Sequence, residues 1–432
     1  MIRSRPLALA ALLAATTATA QTAKPPAPGG DLVTLYKDLH THPELSLAET
    51  RSAAILAAEA RAAGFTVTEK VGGTGVVAVL VNGAGPVVLI RADMDGLPVK
   101  EMTGLPYASA AMGTAPDGTQ TPVMHACGHD IHMTVWTGVA REMAKRRAEW
   151  KGTLVMVGQP AEERSAGAKS MLKDGLYTRF PKPQFALALH DDNRMPAGQV
   201  SVPQGPALSA AAMVNLRVRG VGGHGAYPAT TKDPIVLAAR IVGALQPLVS
   251  RENDPFRPAV VTVGSIHGGT KHNIIPDEVL MQLTVRTYDA AQRERLVQAI
   301  ARVARGEAIA SDIPESLMPE MSLESSTLPT LNTPALAARI ETAFIAKFGK
   351  DRVPRLDPSM ASEDFNAFAQ ADPSIETTIF WLGGVKQSTW DAAKASGAVL
   401  PSLHNSGWAP DPAPTIATGV AAMTTAAMML LK

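Results

Sequence analysis

Between residues 211 and 326 the chain reads strand, helix, strand, strand, helix, strand. "AAMVNLRVRG" (211–220) alternates apolar and polar residues like a strand with one solvated face, and "KDPIVLAARIVGALQPLVS" (232–250) is a helix. "PAVVTVGSIHGG" (258–269) and "DEVLMQLTVRT" (277–287) are two more strands. "DAAQRERLVQAIARVARGEAIA" (289–310) is helical again, and "ESLMPEMSLESS" (315–326) is a last strand. This order predicts a ferredoxin-like α+β unit. The flanking chain has a different rhythm. "TVTEKV", "GVVAVLV", "PVVLIRADMD", "GTLVMVGQPAEE" and "QFALALH" read as strands, several with polar residues at their C-terminal ends, and "HMTVWTGVAREMAKRR" as an amphipathic helix. Helix 333–348, strand 376–382 and an apolar C-terminal helix resume that style. The expected fold is an α/β domain with a mostly parallel central sheet, residues 31–207 and 326–432, carrying an inserted α+β domain, residues 208–325. Its site should lie along the C-terminal edge of the sheet.

Hydrophobic residues make up 46% of the chain and charged ones 18%, enough apolar surface for a large core. Lys plus Arg is 40 and Asp plus Glu is 39, so no basic excess points to nucleic acid. Residues 1–20 read as an export signal: Arg3 and Arg5, the short apolar run "LALAALLAA", and "ATA" before Gln21. That implies a periplasmic or secreted protein, folding from about Asp31 after the Pro-rich "KPPAPGG". "TIATGVAAMTTAAMMLLK" at the C-terminus carries threonines and a glycine and is barely long enough to span a bilayer, so a packed core helix and no membrane partner are expected.

"MHACGHDIHM" (124–133) holds three of the ten histidines and the only cysteine. A disulfide lacks a second cysteine, and a zinc finger lacks a second knuckle. A single cysteine is commonly a small buried hydrophobe, but three adjacent histidines point instead to Cys127 and His129, with His132 as a further candidate, as part of a metal site completed from elsewhere. A buried strand leads into the pair Glu162 and Glu163. On extended backbone neighbouring side chains point to opposite sides, so Glu163 could hold a metal while Glu162 acts as general base on water. His40 and His42 are read as organising the helix break at Pro43, His125 and His132 as supporting or structural, and His267 as a strand-end residue.

"HTHPELSLAE" (40–49), "RADMDGLPVKE" (91–101), "MHACGHDIH" (124–132), "GQPAEE" (158–163), "ALH" (188–190), "GVGGHGAYP" (220–228), "HNIIPD" (272–277), "MASEDF" (360–365) and "LHNS" (403–406) follow one another in that order. As a set they resemble the M20 family of metallopeptidases, in particular its amidohydrolase branch of hippurate hydrolases, N-acyl-amino-acid amidohydrolases and plant auxin-conjugate hydrolases. The resemblance implies two divalent cations, zinc or manganese with cobalt possible, held by Cys127, His129, Glu163, His190 and His404. It puts the catalytic base at Glu162 and an orienting carboxylate at Asp95. It implies a homodimer through the inserted domain, with His224 reaching across to the reacting carbonyl oxygen and Asn273 and Arg286 holding the substrate's polar end and carboxylate. The expected substrate is a small N-acyl amino acid. Two departures matter. Gly96 replaces the usual alanine, and Asp191 and Asp192 follow His190, where they are expected to add negative charge at the metal rim. That charge keeps a rival open, a dipeptidase or carboxypeptidase binding a free α-amino group. A metal-binding protein without turnover is the non-enzymatic rival, but it has no use for Glu162.

Overall fold

The computed structural model describes residues 26–432; residues 1–20, read above as an export signal, lie outside the described residues. Seven strands form the larger sheet in the order Thr66–Val71, Gly75–Asn82, Gly152–Gln159, Val87–Asp93, Phe185–Pro196, Glu376–Val385, Val200–Ser201. The four strands from Gly152–Gln159 to Glu376–Val385 run parallel, and the edges are antiparallel. Gly152–Gln159 is buried at every position, as expected of a strand covered on both faces. The parallel strands end together on one edge, which brings Asp93, His190 and the segment after Gln159 side by side.

Helices cover this sheet. The break at Pro43 separates Leu32–Thr41 from Thr50–Ala62. The C-terminal helix Pro412–Leu430 is apolar enough to cross a membrane by composition, yet it is mostly buried against helix His129–Lys145. Glycines let the two approach: a side chain at Gly138 would meet Val420 at 2.4 Å, and one at Gly419 would meet Val135 at 2.6 Å.

The second sheet has the order Ala259–Gly268, Glu278–Thr287, Ala210–Arg219, Glu320–Thr327, all antiparallel. Helices Pro234–Ser250 and Ala290–Ala310 close one face over Leu216, Ile241, Met281, Val285 and Ile300. This is the ferredoxin-like topology the sequence predicts. Its last strand starts later than expected: Glu315–Leu317 is a 3-10 turn, and Pro319, which has no N–H to give a ladder, precedes the strand. The opposite face carries Asn215, Gln282, Thr284 and Arg286, and no helix among the described residues lies on it. Arg286 and Tyr288 reach from this sheet to the first unit, donating to the carbonyls of Met360 (3.2 Å) and Pro358 (2.9 Å).

Candidate active site

Glu162 and Glu163 lie in a turn two residues beyond their strand, with Ala161 at φ 48°. The Asp95 carboxylate accepts both of their backbone N–H groups, each at 3.1 Å, and also the Ser46 hydroxyl at 2.6 Å. This corrects the expectation of opposite-pointing side chains on extended backbone. Asp95 gathers the turn, and Glu162 Oε2 and Glu163 Oε1 both come to 3.9 Å from His129 Nε2.

The histidines are aimed by their other nitrogens. His129 Nδ1 donates to the Asp95 carbonyl at 2.7 Å, and His190 Nδ1 donates to the Asp191 carbonyl at 2.8 Å. Each Nε2 therefore turns its lone pair into the cluster. His404 sits in the left-handed region at φ 66°, its N–H tied to the Ala126 carbonyl at 2.7 Å. Its Nε2 lies 3.2 Å from Cys127 Sγ and 3.4 Å from Glu163 Oε1, and His190 Nε2 lies 3.6 Å from the same sulfur. Cys127, His129 and His190 hold their ligand atoms within 4.8 Å of one another, as do Cys127, Glu163 and His404. His129 Nε2 and Glu163 Oε1 are buried without a hydrogen-bond partner.

That donor set fits cations. Unpartnered lone pairs of imidazole and carboxylate, next to a thiol, are ligands rather than packing. The charge balance agrees. Burial, with Glu163 and Glu162 nearby, pushes the Cys127 thiol well up. Burial, Glu363 and Glu163 push the Glu162 carboxyl well up. Burial disfavours a charged His129, but Asp93 and Asp95 outweigh it and hold the ring at about 9. Every one of these groups is drawn towards binding a proton, so the cluster lacks positive charge.

Both ring nitrogens of His132 are already engaged by carboxylates and backbone. Its Nδ1 meets Asp93 at 2.6 Å and its Nε2 accepts the Asp191 N–H at 3.0 Å, a supporting role as expected. His125 is buried with neither ring nitrogen bonded, and burial lowers it to about 4, so it stays neutral. Asp191 and Asp192 border the cluster, as expected of rim carboxylates, but both are engaged by neighbours. Asp191 is fully buried, accepting from Trp408 Nε1 at 3.1 Å, and Asp192 is covered by the Arg194 guanidinium with contacts of 2.6–3.0 Å. Each carboxylate would have to give up one of these partners to bind a substrate ammonium.

A cavity of about 1100 Å³ opens over the cluster, lined by Cys127, Glu162, Glu163 and His190 and, from the second sheet, by Met213 and Arg286. Arg286 is half-buried and bonds only to neutral acceptors: Thr284, Met360 and Ser362. No carboxylate pairs with it among the described residues. His224 and Asn273 do not line this cavity. They sit together on the surface of the second unit, where strand Gly223–His224 pairs with Ile274–Ile275 and the Gly225 N–H meets the Asn273 carbonyl at 2.9 Å.

Two buried networks were not assigned from sequence. Arg91, fully buried, binds Asp93 and Glu363, each at 2.6 Å, and Asp364 at 3.2 Å, and so backs Glu162. Carboxylates paired in "MASEDF" with no adjacent basic residue were the available signal. His40, which was read with His42 as organising the break at Pro43, also bridges Asp130 (2.6 Å) and Glu101 (3.1 Å) from the end of its helix. Its partners lie far along the chain, so no local pattern announces it.

A buried carboxylate beside uncommitted metal ligands, in a cavity with an unpaired guanidinium, defines a metal-dependent hydrolase site. The model of peptidase family M20/M25/M40 matches residues 89–396. The chain is 33% identical over 383 residues to an N-acetyldiaminopimelate deacetylase of Leuconostoc mesenteroides, covering 87% of this chain and 95% of that one. It is 34% identical over 348 residues to the hippurate hydrolase of Campylobacter jejuni, covering 79% and 85%. A solved structure from Bacillus subtilis, described as a dinuclear metal binding peptidase from the M20 family, superposes with a TM-score of 0.73 at 26% identity, over 93% of this chain and 97% of that one. The chain belongs to peptidase family M20/M25/M40, in its amidohydrolase branch, and is an enzyme that hydrolyses C–N bonds.

Proposed function

We propose that the protein is an exported amidohydrolase that uses two divalent cations, zinc or manganese with cobalt as a further candidate, to cleave N-acyl or N-aroyl amino acids into a carboxylic acid and a free amino acid. The observation that carries this reading is the meeting, in one cavity, of two ligand triads sharing Cys127 with the protonatable Glu162 and the unpaired Arg286. The names of the relatives, a deacetylase of an N-acetylated amino acid and a hippurate hydrolase, support the substrate class. The export signal at residues 1–20 supports the compartment.

Cys127, His129, Glu163, His190 and His404 would hold the cations, which supply carbonyl polarisation and a lowered pKa for water. Arg286 takes the α-carboxylate of the substrate, a geometry its planar fork suits. Glu162 removes a proton from the attacking water. Glu162 then gives that proton to the leaving nitrogen, a transfer its enclosure beside the cluster favours. His224, exposed on the second unit, donates to the developing oxyanion of the partner subunit in a homodimer built through that unit. Asn273 beside it contacts the same end of the substrate.

The test is hydrolysis of N-acetyl and N-benzoyl amino acids and of dipeptides by metal-depleted protein, with manganese, zinc and cobalt restored separately. The reading expects cation-dependent release of free amino acid from the acylated series. Equal or better turnover of dipeptides would overturn it.

A further inference from the structure

The cavity contains a second unpaired charge that the reaction does not use. Strand Glu320–Thr327 pairs with Ala210–Arg219 in a register that joins Met213 to Ser325 but Val214 to Leu323, so Glu324 is an extra residue, a β-bulge. Bulges re-aim a side chain and gather near active sites. Here the bulge turns Glu324 onto the face shared with Arg286: Asn215 Nδ2 donates to its carboxylate at 3.4 Å, and Glu324 lines the cavity over the cluster. A ladder of neutral groups stands behind it, with Ser265 donating to Gln282 at 2.7 Å and Gln282 to Asn215 at 3.3 Å. Among the described residues no cation pairs with Glu324. By strand spacing and rise, two strands across and two residues along, Arg286 and Glu324 are roughly 12 Å apart at Cα. That is too far for an easy ion pair but within reach of one substrate that touches both.

From this geometry we infer, building on the function proposed above, that the preferred substrate is an N-acyl amino acid with a second, cationic group at the end of its side chain, and that Glu324 selects it. Arg286 binds the α-carboxylate and Glu324 the distal ammonium, so the two protein charges that cannot satisfy each other are satisfied by the ligand. A zwitterionic cavity of this kind rejects acyl amino acids whose side chain ends in a carboxylate, by repulsion from Glu324.

The experiment compares kcat/KM for N-acetyl-lysine, N-acetyl-norleucine and N-acetyl-2-aminoadipate, whose side chains have similar length and end in a cation, a methyl group and an anion. The wild-type enzyme should favour the lysine derivative over the norleucine one by roughly three- to fivefold, the size of a partly exposed charge contact. In Glu324→Gln this ratio should fall towards one, and in Glu324→Lys the 2-aminoadipate derivative should become the best of the three. Glu320→Gln, on the same strand but paired with Arg219 outside the cavity, should leave the ratio unchanged. Hydrolysis of all three with a wild-type ratio near one, or a ratio that Glu324→Gln does not move, overturns the inference while the amidohydrolase reading stands. Hydrolysis of none overturns both.

Discussion

His129 and Glu162, at the edge of the parallel sheet, are buried and aimed by bonds they donate to Asp95, whereas His224 and Asn273, on the second unit, are exposed and touch nothing in that cluster. The first arrangement is complete within one chain before any substrate arrives, which is what electrostatic preorganisation requires. The second has polar groups waiting for something to meet. The contrast separates two jobs. In the proposed reaction the parallel sheet holds the cations and the base, and the antiparallel unit holds groups that meet the substrate, Arg286 in the cavity and His224 at its surface. Arg286 marks the boundary, since it belongs to the second sheet yet is held by carbonyls of the first unit.

The sharpest break of the buried half is Glu162→Gln. It keeps the shape of the site but cannot take a proton, so kcat should fall about 10³-fold with metal content unchanged. Glu163→Gln and Cys127→Ala should instead lose metal, read by elemental analysis of the purified protein. Exchange of the two glutamate phenotypes would reverse the assignment within the pair. On the exposed half, His224→Ala should lower turnover about 10²-fold while both metals and the subunit mass by light scattering stay as in wild type. The smallest effect on turnover belongs to His40→Gln, which acts on the fold. His40 is held up at about 10 in the folded protein against 6.5 for the free side chain. Its contribution to stability is therefore full below pH 6.5 and disappears as pH rises towards 10. Denaturant melts should show a deficit on the order of 3 kcal/mol at pH 6, shrinking through pH 8 and 9. A deficit that grows with pH would contradict the charged bridge to Asp130 and Glu101.

Much of the molecule was legible in the residues. Alternation in "AAMVNLRVRG" and apolar periodicity in the two helices after it specify the ferredoxin-like unit, because one face of each element must be buried. Cys127 and His129 stood out as candidate ligands because "MHACGHDIH" is too rich in donors to be packing, whereas His190 and His404 rested on the family resemblance alone. Turn geometry was not. The Glu162 turn depends on a left-handed Ala161 and on Asp95, a carboxylate 67 residues earlier in the chain. The partners of Asp191 and Asp192 were not legible because sequence gives no depth; the strand Phe185–Pro196 continues through them, and Trp408 and Arg194 donate to them. Glu324 gave no signal because a bulge is a property of two strands rather than one.

The most direct test of the division between the two sheets uses two inactive variants together. His224→Ala and Glu162→Gln subunits are unfolded, mixed in equal amounts and refolded, and turnover is compared with that of each refolded alone. If His224 serves the partner's site, each mixed dimer has one complete site, and activity should return to about a quarter of wild type with random pairing. No recovery, with mixed dimers confirmed by mass, would mean that the exposed histidine serves its own subunit or takes no part in the reaction.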